Sequence, residues 1–257
     1  QSESEEDPYR EIAVAQMIGD DIHVVRMKEV LEDDKYLYMI MPYFGIDLLD
    51  ALLGGDVNDD VFLPQLLTTL VQNLLYMEEH DVLHRDLSPE NIIVHQELAE
   101  QRCPMIDFAM ALQCAVDSTD TSVPVESQSR CGKLPYISPE VAFRTPLSFG
   151  IDVWAIGVTL FVIWTKQRLY DSPFDRAWKY FLMDGGLEQD QPHIFDPDAW
   201  MNIGNDIPPD CNELVNRINA VRNLSDTQRK LLADMLRMRP DDRIKSRDIL
   251  NHEWFRE

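Results

Sequence analysis

The chain has 257 residues, which is enough for one large core or for two lobes. Hydrophobic residues make up 45% and charged residues 27% of it, as in ordinary globular proteins. The formal net charge of −23 argues against binding nucleic acid or an anionic membrane through bulk charge. The negative charge favours cationic partners. The alternative, that the acidic residues only increase solubility, explains the charge at least as well.

The start of the chain and its cysteines indicate the cellular setting. Residues 1–9 are acidic and are expected to be a solvated tail rather than a signal peptide. No apolar run is long enough to span a membrane. The cysteines, which show no C-x-x-C pairing, are Cys103, Cys114, Cys131 and Cys211. These features predict reduced thiols in an intracellular protein, in the cytoplasm or alternatively the nucleus.

The first elements in chain order are a helix and two strands. A helical pattern covers Arg10–Ile18 and is ended by Gly19. Strand-like runs follow at 23–30 and 36–44, joined by an acidic turn. Gly45 breaks the second run, and it marks the only lobe boundary that the pattern supports.

After Gly45 the patterns are mainly helical. A 3.6-residue apolar stripe covers 61–80, and 152–165 is apolar nearly all round, as in a buried central helix. Residues 225–228 fit a capping box that opens a third helix. The segments 113–135 and 184–222 lack strong periodicity and are predicted to be long functional or disordered loops.

The residues that carry chemistry are concentrated in one stretch. Residues 84–91 read His-Arg-Asp-Leu-Ser-Pro-Glu-Asn, which fits the pattern H-R-D-x-x-x-x-N, and an apolar run follows. Phosphoryl transfer needs a carboxylate to accept a hydroxyl proton, the role expected for Asp86. It also needs oxygen ligands for Mg²⁺, the role expected for Asn91 and for Asp107 in the later sequence Asp-Phe-Ala.

Further motifs occur in a fixed order after these. They are Gly132–Glu140 with Ser-Pro-Glu at its end, Asp152–Gly157 as D-x-W-x-x-G, Arg243, and His252–Phe255. With the catalytic stretch, they make residues 10–256 resemble the eukaryotic protein kinase family, serine/threonine type. The resemblance implies that Arg243 pairs with Glu140.

The resemblance also implies a fold and an activity. The expected fold is α+β and bilobal, with an incomplete small lobe over 10–44, consisting of helix C and the strands after it. A mainly helical large lobe is expected over 45–257. The implied activity is transfer of the ATP γ-phosphate to serine or threonine hydroxyls of a protein substrate, with ATP and Mg²⁺ as cofactors. Neither a nucleic-acid nor a membrane partner is expected, and the sequence does not indicate an oligomeric state.

The resemblance assigns residues to the nucleotide site. Glu11 fits the glutamate of helix C, and Met41 fits the residue behind the adenine pocket. In the hinge, Pro42 lacks an N–H but keeps its carbonyl, and Phe44 supplies an N–H. Ribose and base contacts are expected from Asp47 and Ile93, each with an ordinary surface or packing role as the alternative. The full set expected around the nucleotide is Glu11, Met41, Pro42, Phe44, Asp47, Glu90 and Ile93.

The sequence departs from the family at its start. No glycine-rich G-x-G-x-x-G precedes Glu11, and the first lysine is Lys28. The glycine-rich loop, and a lysine before the helix that pairs with Glu11 and the phosphates, are both standard parts of the kinase mechanism. The chain is therefore expected to be an N-terminally truncated catalytic domain. The alternative is a non-catalytic pseudokinase that acts as an interaction module. The presence of Asp86, Asn91 and Asp107 favours the truncated enzyme.

Two other departures concern the catalytic residues. Ser88 stands where most serine/threonine kinases carry a lysine, and Lys133 stands where they carry a threonine. We hypothesise that Lys133 reaches Asp86 and Ser88 and restores positive charge beside the phosphoryl group, with a solvent-facing lysine as the alternative. Ala109 replaces the usual glycine after Asp-Phe and restricts the backbone there.

Two features bear on regulation and substrate choice. Arg85 precedes the catalytic Asp86, as in kinases whose activation loop docks a phosphate, and Ser129 best fits the phosphorylated position. Glu90 and the acidic composition suggest a preference for basic peptides.

Overall fold

The computed structural model describes residues 8–19, 22–25, 27–55, 62–94, 103–114, 132–143, 146–169 and 212–256. They belong to two compact units, Gln1–Thr121 and Ser122–Glu257. The lobe boundary predicted at Gly45 is a different division and stays a prediction. The acidic tail up to residue 7 and most of the segments 113–135 and 184–222 lie outside the described residues.

The first unit begins with helix α1, Pro8–Ile18. Val14 and Ile18, four residues apart, are its buried side chains, as expected for a helix with one face on a core. Gly19 ends the helix with φ 81°, a left-handed conformation that glycine adopts without strain. The Tyr76 hydroxyl donates a hydrogen bond to the Ile18 carbonyl and so anchors this end of α1. The predicted helix is confirmed.

A β-hairpin follows, formed by β1, Glu29–Glu32, and β2, Leu37–Ile40. The strands pair antiparallel, from Glu29 opposite Ile40 to Glu32 opposite Leu37. In the turn, the Asp33 carboxylate accepts hydrogen bonds from the backbone N–H groups of Lys35 and Tyr36, both at 2.8 Å. These bonds lower the pKa of Asp33.

The strand predicted over 23–30 was wrong in its extent. Only its last residues, Glu29 and Val30, belong to β1. Earlier in this run, Val24 forms a parallel bridge with Met105, which lies far along the chain. A strand-like pattern does not show that the two ends of a run pair with different partners, so the prediction joined them into one strand.

The centre of the first unit is helix α3, Phe62–Glu79, which follows helix α2, Leu48–Gly54. The predicted apolar stripe of α3 is buried except for the half-buried Leu75; its buried members are Leu66, Leu67, Leu70, Val71 and Leu74. Short antiparallel pairs lie nearby. In one, β3, Ile46–Asp47, pairs with β5, Ile93–Val94, and in the other, β4, Val82–Leu83, pairs with β6, Leu112–Gln113. The strand pairs hold both ends of the segment 84–92.

The second unit is helical in the parts described. Its helices are α4, Pro139–Phe143; α5, Gly150–Thr165; α6, Asn212–Ala220; α7, Asp226–Met235; and α8, Ser246–Ile249. Helix α5 is buried throughout Ile151–Phe161, which confirms the predicted central helix. The predicted capping box is also present, because the Ser225 and Gln228 side chains each accept a hydrogen bond from the other's backbone N–H.

Helix α6 corrects the prediction of a loop over 184–222. Among its side chains whose burial is described, from Leu214 onward, Leu214 and Ile218 are buried, one turn apart, while Val215 is exposed and most of the others are polar. The exposed Val215 falls outside the stripe made by Leu214 and Ile218, and two positions in a stripe are too few to give a clear helical period.

The described thiols Cys103 and Cys114 are buried and unbridged, while Cys131 and Cys211 fall outside the described residues. Burial raises the pKa of Cys103 to about 12. Across the described ranges, none of the helices has both the length and the apolar character needed to cross a membrane.

Candidate active site

The segment between β4 and β5 carries the predicted catalytic residues. His84, Arg85, Asp86 and Ser88 are buried along it, and Pro89–Asn91 forms a short 3₁₀ turn closed by the Asn91 N–H on the Ser88 carbonyl at 3.0 Å. Because the strands on both sides are paired, this loop is held at both ends. The motif read from the sequence is therefore a fixed, largely buried turn.

Asn91 orients Asp86 directly. Its side-chain nitrogen donates to the Asp86 carbonyl at 2.8 Å and to Asp86 Oδ2 at 3.1 Å. Both bonds use the nitrogen end of the amide, so the amide oxygen is directed away from Asp86. The predicted base and the predicted metal ligand thus belong to one hydrogen-bonded pair, in which Asp86 as a residue is 8% exposed.

The segment that leads to Asp107 runs between two others. On one side Met105 N–H donates to the His23 carbonyl at 3.1 Å, and Val25 N–H donates to the Met105 carbonyl at 3.2 Å. On the other side the Ile106 N–H donates to the Asn91 carbonyl at 3.0 Å. Asp107 therefore follows directly after a residue bonded to Asn91. The two predicted metal ligands are brought to neighbouring positions.

A buried histidine connects the catalytic loop with the Asp107 segment. His84 Nε2 lies 3.0 Å from the Ile106 carbonyl, and the Asp86 N–H lies 3.4 Å from His84 Nδ1. A carbonyl only accepts and an N–H only donates, so one neutral tautomer, protonated at Nε2, satisfies both. The His84 ring also packs on the Phe108 ring, with centroids 4.8 Å apart.

Asp107 has a strained backbone. Its φ is 64° and that of Arg85 is 69°, a left-handed region that residues with a Cβ rarely occupy. Such conformations persist when the surrounding contacts hold them, and they cluster at active sites. Ala109, which follows Phe108, does not have a positive φ. The conformation described is therefore one that alanine adopts as readily as glycine, which accounts for this departure from the family pattern.

Glu11 on α1 lies beside Asp107. It accepts a hydrogen bond from the Phe108 backbone N–H. Burial, and next the negative charge of Asp107, raise the pKa of Glu11, whereas the Phe108 N–H acts in the opposite direction. The side chain expected from helix C therefore lies at the predicted metal ligands.

These residues fit a magnesium ion that also binds phosphates. Within the described ranges, no group of three or more histidine, cysteine, aspartate and glutamate side chains could hold a metal. Mg²⁺ needs few protein ligands, since it keeps several waters and binds substrate phosphates. The amide oxygen of Asn91 and the carboxylate of Asp107 are donors of the required type. A cation there would also offset the like charges of Glu11 and Asp107.

Three of the residues predicted around the nucleotide, Met41, Pro42 and Phe44, lie in the segment directly after β2. Met41 is 39% exposed, while Pro42 and Phe44 are half-buried. Asp47 and Ile93 stand opposite each other in the β3–β5 pair, so the structure does bring these two together. Asp47 also caps α2, because its Oδ1 accepts the Asp50 N–H at 2.8 Å. This structural role of Asp47 was not predicted from the sequence. The nucleotide contacts of this set, including the half-buried Glu90, stay predictions.

Lys133 belongs to the second unit, whereas Asp86 and Ser88 belong to the first, so the predicted approach of Lys133 to them stays a prediction. Ser88 is fully buried and Lys133 is half-buried. Ser129, the predicted phosphorylation site, lies outside the described residues. The pairing of Arg243 with Glu140 is confirmed, by contacts of 2.6 and 2.9 Å between guanidinium and carboxylate.

Residues 1–255 match the family model of the protein kinase domain. The chain belongs to the protein kinase family, which confirms both the resemblance and the predicted fold class.

Relatives in this family are distant in sequence. Serine/threonine-protein kinase cds1 of Schizosaccharomyces pombe is 26% identical over 90% of this chain and 44% of its own length. Ribosomal protein S6 kinase 2 alpha of Gallus gallus is 25% identical over 98% of this chain and 30% of its own length. Calcium-dependent protein kinase 4 of Plasmodium berghei is 25% identical over 96% of this chain and 40% of its own length. The chain thus spans less than half the length of these curated relatives.

Proposed function

We propose that the protein containing this chain is a serine/threonine protein kinase, which transfers the γ-phosphate of Mg·ATP to hydroxyl groups of protein substrates. The observation that carries the proposal is the Asp86–Asn91 pair, in which the amide nitrogen of Asn91 bonds Asp86 at 2.8 and 3.1 Å while the backbone of Asn91 bonds the residue before Asp107. The name of one matched relative, a serine/threonine-protein kinase, supports the serine/threonine class.

Each residue of the pair has a separate role in this reaction. The Asp86 carboxylate accepts the proton of the substrate hydroxyl as that oxygen attacks the γ-phosphorus, whose bond to the bridging oxygen breaks to release ADP. Asn91 and Asp107 hold Mg²⁺, which when bound neutralises charge that develops on the phosphates. His84 and Asn91 fix the Asp86 backbone and carboxylate, so that little reorganisation is needed when the substrate arrives.

Other parts of the proposal rest on the sequence pattern. Lys133 and Ser88 are assigned to charge stabilisation beside the phosphoryl group, and Pro42 and Phe44 to recognition of the adenine edge. Glu90 and the net charge of −23 favour substrates with basic residues near the acceptor hydroxyl. The buried, unbridged Cys103 and Cys114 are compatible with a cytoplasmic protein.

The experiment compares phosphate transfer by the native protein with that of Asp86→Asn and Asp107→Asn variants. Labelled ATP and a mixture of serine, threonine and tyrosine peptides serve as substrates. Loss of the base is expected to lower kcat by about 10²-fold or more. Asp50→Asn, at an exposed position outside the site, is the matched control and is expected to keep full activity. Unchanged transfer in Asp86→Asn, or label on tyrosine alone, would contradict the proposal.

A further inference from the structure

Adjacent side chains of α1 contact the backbone directly after Asp107. The Glu11 carboxylate accepts the N–H of Phe108. One residue earlier on the helix, Arg10 Nη1 donates to the carbonyl of Ala109 at 3.5 Å. Helix α1 therefore contacts both a donor and an acceptor of consecutive residues.

The same short segment is held from the catalytic loop. Arg85 Nη1 donates to the Met110 carbonyl at 3.3 Å, and the Ala111 N–H closes a turn on the Phe108 carbonyl at 2.9 Å. The Ile106 carbonyl, just before Asp107, is bonded to His84. Backbone groups on both sides of the strained Asp107 are thus engaged, as a left-handed aspartate requires.

The contacts from α1 differ in electrostatic character. Glu11 lies close enough to Asp107 for their negative charges to repel, so its hydrogen bond to Phe108 is made against an unfavourable interaction. Arg10 carries a positive charge and donates to the carbonyl of the following residue, Ala109. Its contact therefore holds α1 to the segment without that repulsion.

We propose that Arg10 is a positioning residue that keeps Asp107 in its metal-binding conformation by holding the Ala109 carbonyl against α1. The inference rests on the proposed kinase function only for the metal-binding role of Asp107. Ala109 contributes, because alanine lacks the access to positive φ that would let a glycine turn this carbonyl away. Helix α1 is itself anchored through Tyr76 and the Ile18 carbonyl, so Arg10 extends from a fixed support.

The test uses the native protein with Arg10→Ala and Arg10→Lys. The first readout is amide hydrogen exchange of residues 108–111 without nucleotide or metal. The second is the Mg²⁺ concentration that gives half-maximal phosphate transfer at saturating ATP. Loss of a side chain that orients a metal ligand is expected to raise this concentration about tenfold and to speed exchange of the Ala111 amide. In Arg10→Lys the side chain keeps its charge and a hydrogen-bond donor. This variant is therefore expected to lie between Arg10→Ala and the native protein in both Mg²⁺ dependence and amide exchange.

The control is Arg247→Ala, whose side chain is 78% exposed and which is expected to change neither readout. If Arg10→Ala leaves both the exchange rates and the Mg²⁺ dependence unchanged, the inference is wrong. If Arg10→Ala fails to fold, the amide exchange and the Mg²⁺ dependence of Arg10→Lys test the inference instead, and native values of both would show that it is wrong. If even the native protein transfers no phosphate, the proposed function fails. The inference is then decided by amide exchange together with calorimetric Mg²⁺ binding: Arg10→Ala must speed exchange of the Ala111 amide and weaken Mg²⁺ binding.

Discussion

Arg243 and Glu140 form a bidentate ion pair, and both side chains are fully buried. The guanidinium also donates to the carbonyls of Gly150, Arg237 and Met238, and lies 5.2 Å from the ring centre of Trp154. One arginine thus joins α4, the start of α5 and the segment after α7. The arrangement of these parts of the second unit therefore depends on one desolvated ion pair.

Glu140→Gln is expected to destabilise the protein strongly. Glutamine keeps the shape of the side chain but leaves the Arg243 charge buried without a counter-charge, a change that costs about 3–5 kcal/mol. Lys230→Ala is the matched control, since Lys230 pairs with Glu253 at 2.7 Å with side chains 60% and 46% exposed. Exposed pairs contribute at most about 1 kcal/mol. Thermal unfolding checks this, and equal losses in the two variants would contradict it.

Asn91→Asp is expected to lower activity at least as much as Asn91→Ala. The aspartate would still offer oxygen to a metal, but it would lose both hydrogen bonds to Asp86 and place a negative charge near Asp86 Oδ2, now 3.1 Å from the amide nitrogen. A misplaced base lowers kcat by up to about 10²-fold. The measurement is kcat and KM at several Mg²⁺ concentrations. An Asp variant clearly more active than the Ala variant would mean that Asn91 acts only as a metal ligand.

Gly157→Ala is expected to destabilise the second unit although alanine is the better helix former by about 1 kcal/mol. A Cβ at this position of α5 would lie 3.0 Å from Leu236 Cδ2 and 3.1 Å from Met235 Cβ. Overpacking of this kind costs about 1–3 kcal/mol. Unfolding midpoints of Gly157→Ala, Leu236→Ala and the double variant check this. Because the smaller side chain makes room, the combined loss must be less than the sum of the separate losses.

Cys103 is expected to give the protein a dependence of stability on alkaline pH. Below its ordinary pKa of 9.0 the thiol is protonated in both the folded and the unfolded state, so its contribution is constant. Between pH 9.0 and about 12 the unfolded chain loses the proton while the folded protein keeps it, so stability falls as the pH rises. The slope is at most about 1.4 kcal/mol per pH unit.

Unfolding of the native protein and of Cys103→Ala at pH 8, 9 and 10 tests this expectation. The variant must lose less stability than the native protein over this range. A thiol reagent provides a second check, because the buried Cys103 is expected to react only after unfolding. Parallel pH profiles of the two proteins would show that the thiol contributes nothing.

Where a pattern is local, the sequence was a sufficient guide. Helix α5 could be predicted because its apolar residues are continuous, and the catalytic loop because residues 84–91 carry its chemistry in one stretch. The capping box of α7 is likewise complete within residues 225–228. The helix, the loop and the cap each depend on residues that are close together in the sequence.

Features that depend on distant residues were not predictable in this way. Arg10 reads as an ordinary charged residue on a helix, and nothing in its surroundings indicates the Ala109 carbonyl. Asn73 reads as a polar interruption of the α3 stripe, although it is fully buried. Its place between Leu70 and Leu74 on the apolar face was a usable signal, since a buried amide requires partners.

The buried amide of Asn73 has a consequence for the order in which the first unit can fold. It contacts His23 Nδ1 at 2.7 Å, 50 residues back in the chain, and donates to the Cys103 carbonyl at 2.7 Å, 30 residues ahead. Closing such long loops slows folding, because chain entropy is lost before the contacts form. During synthesis from the N-terminus, His23 can therefore contact Asn73 only after α3 has been made, and Asn73 can reach the Cys103 carbonyl only after that later segment has followed. The segment leading to Asp107 is thus among the last parts of this unit to gain its partners.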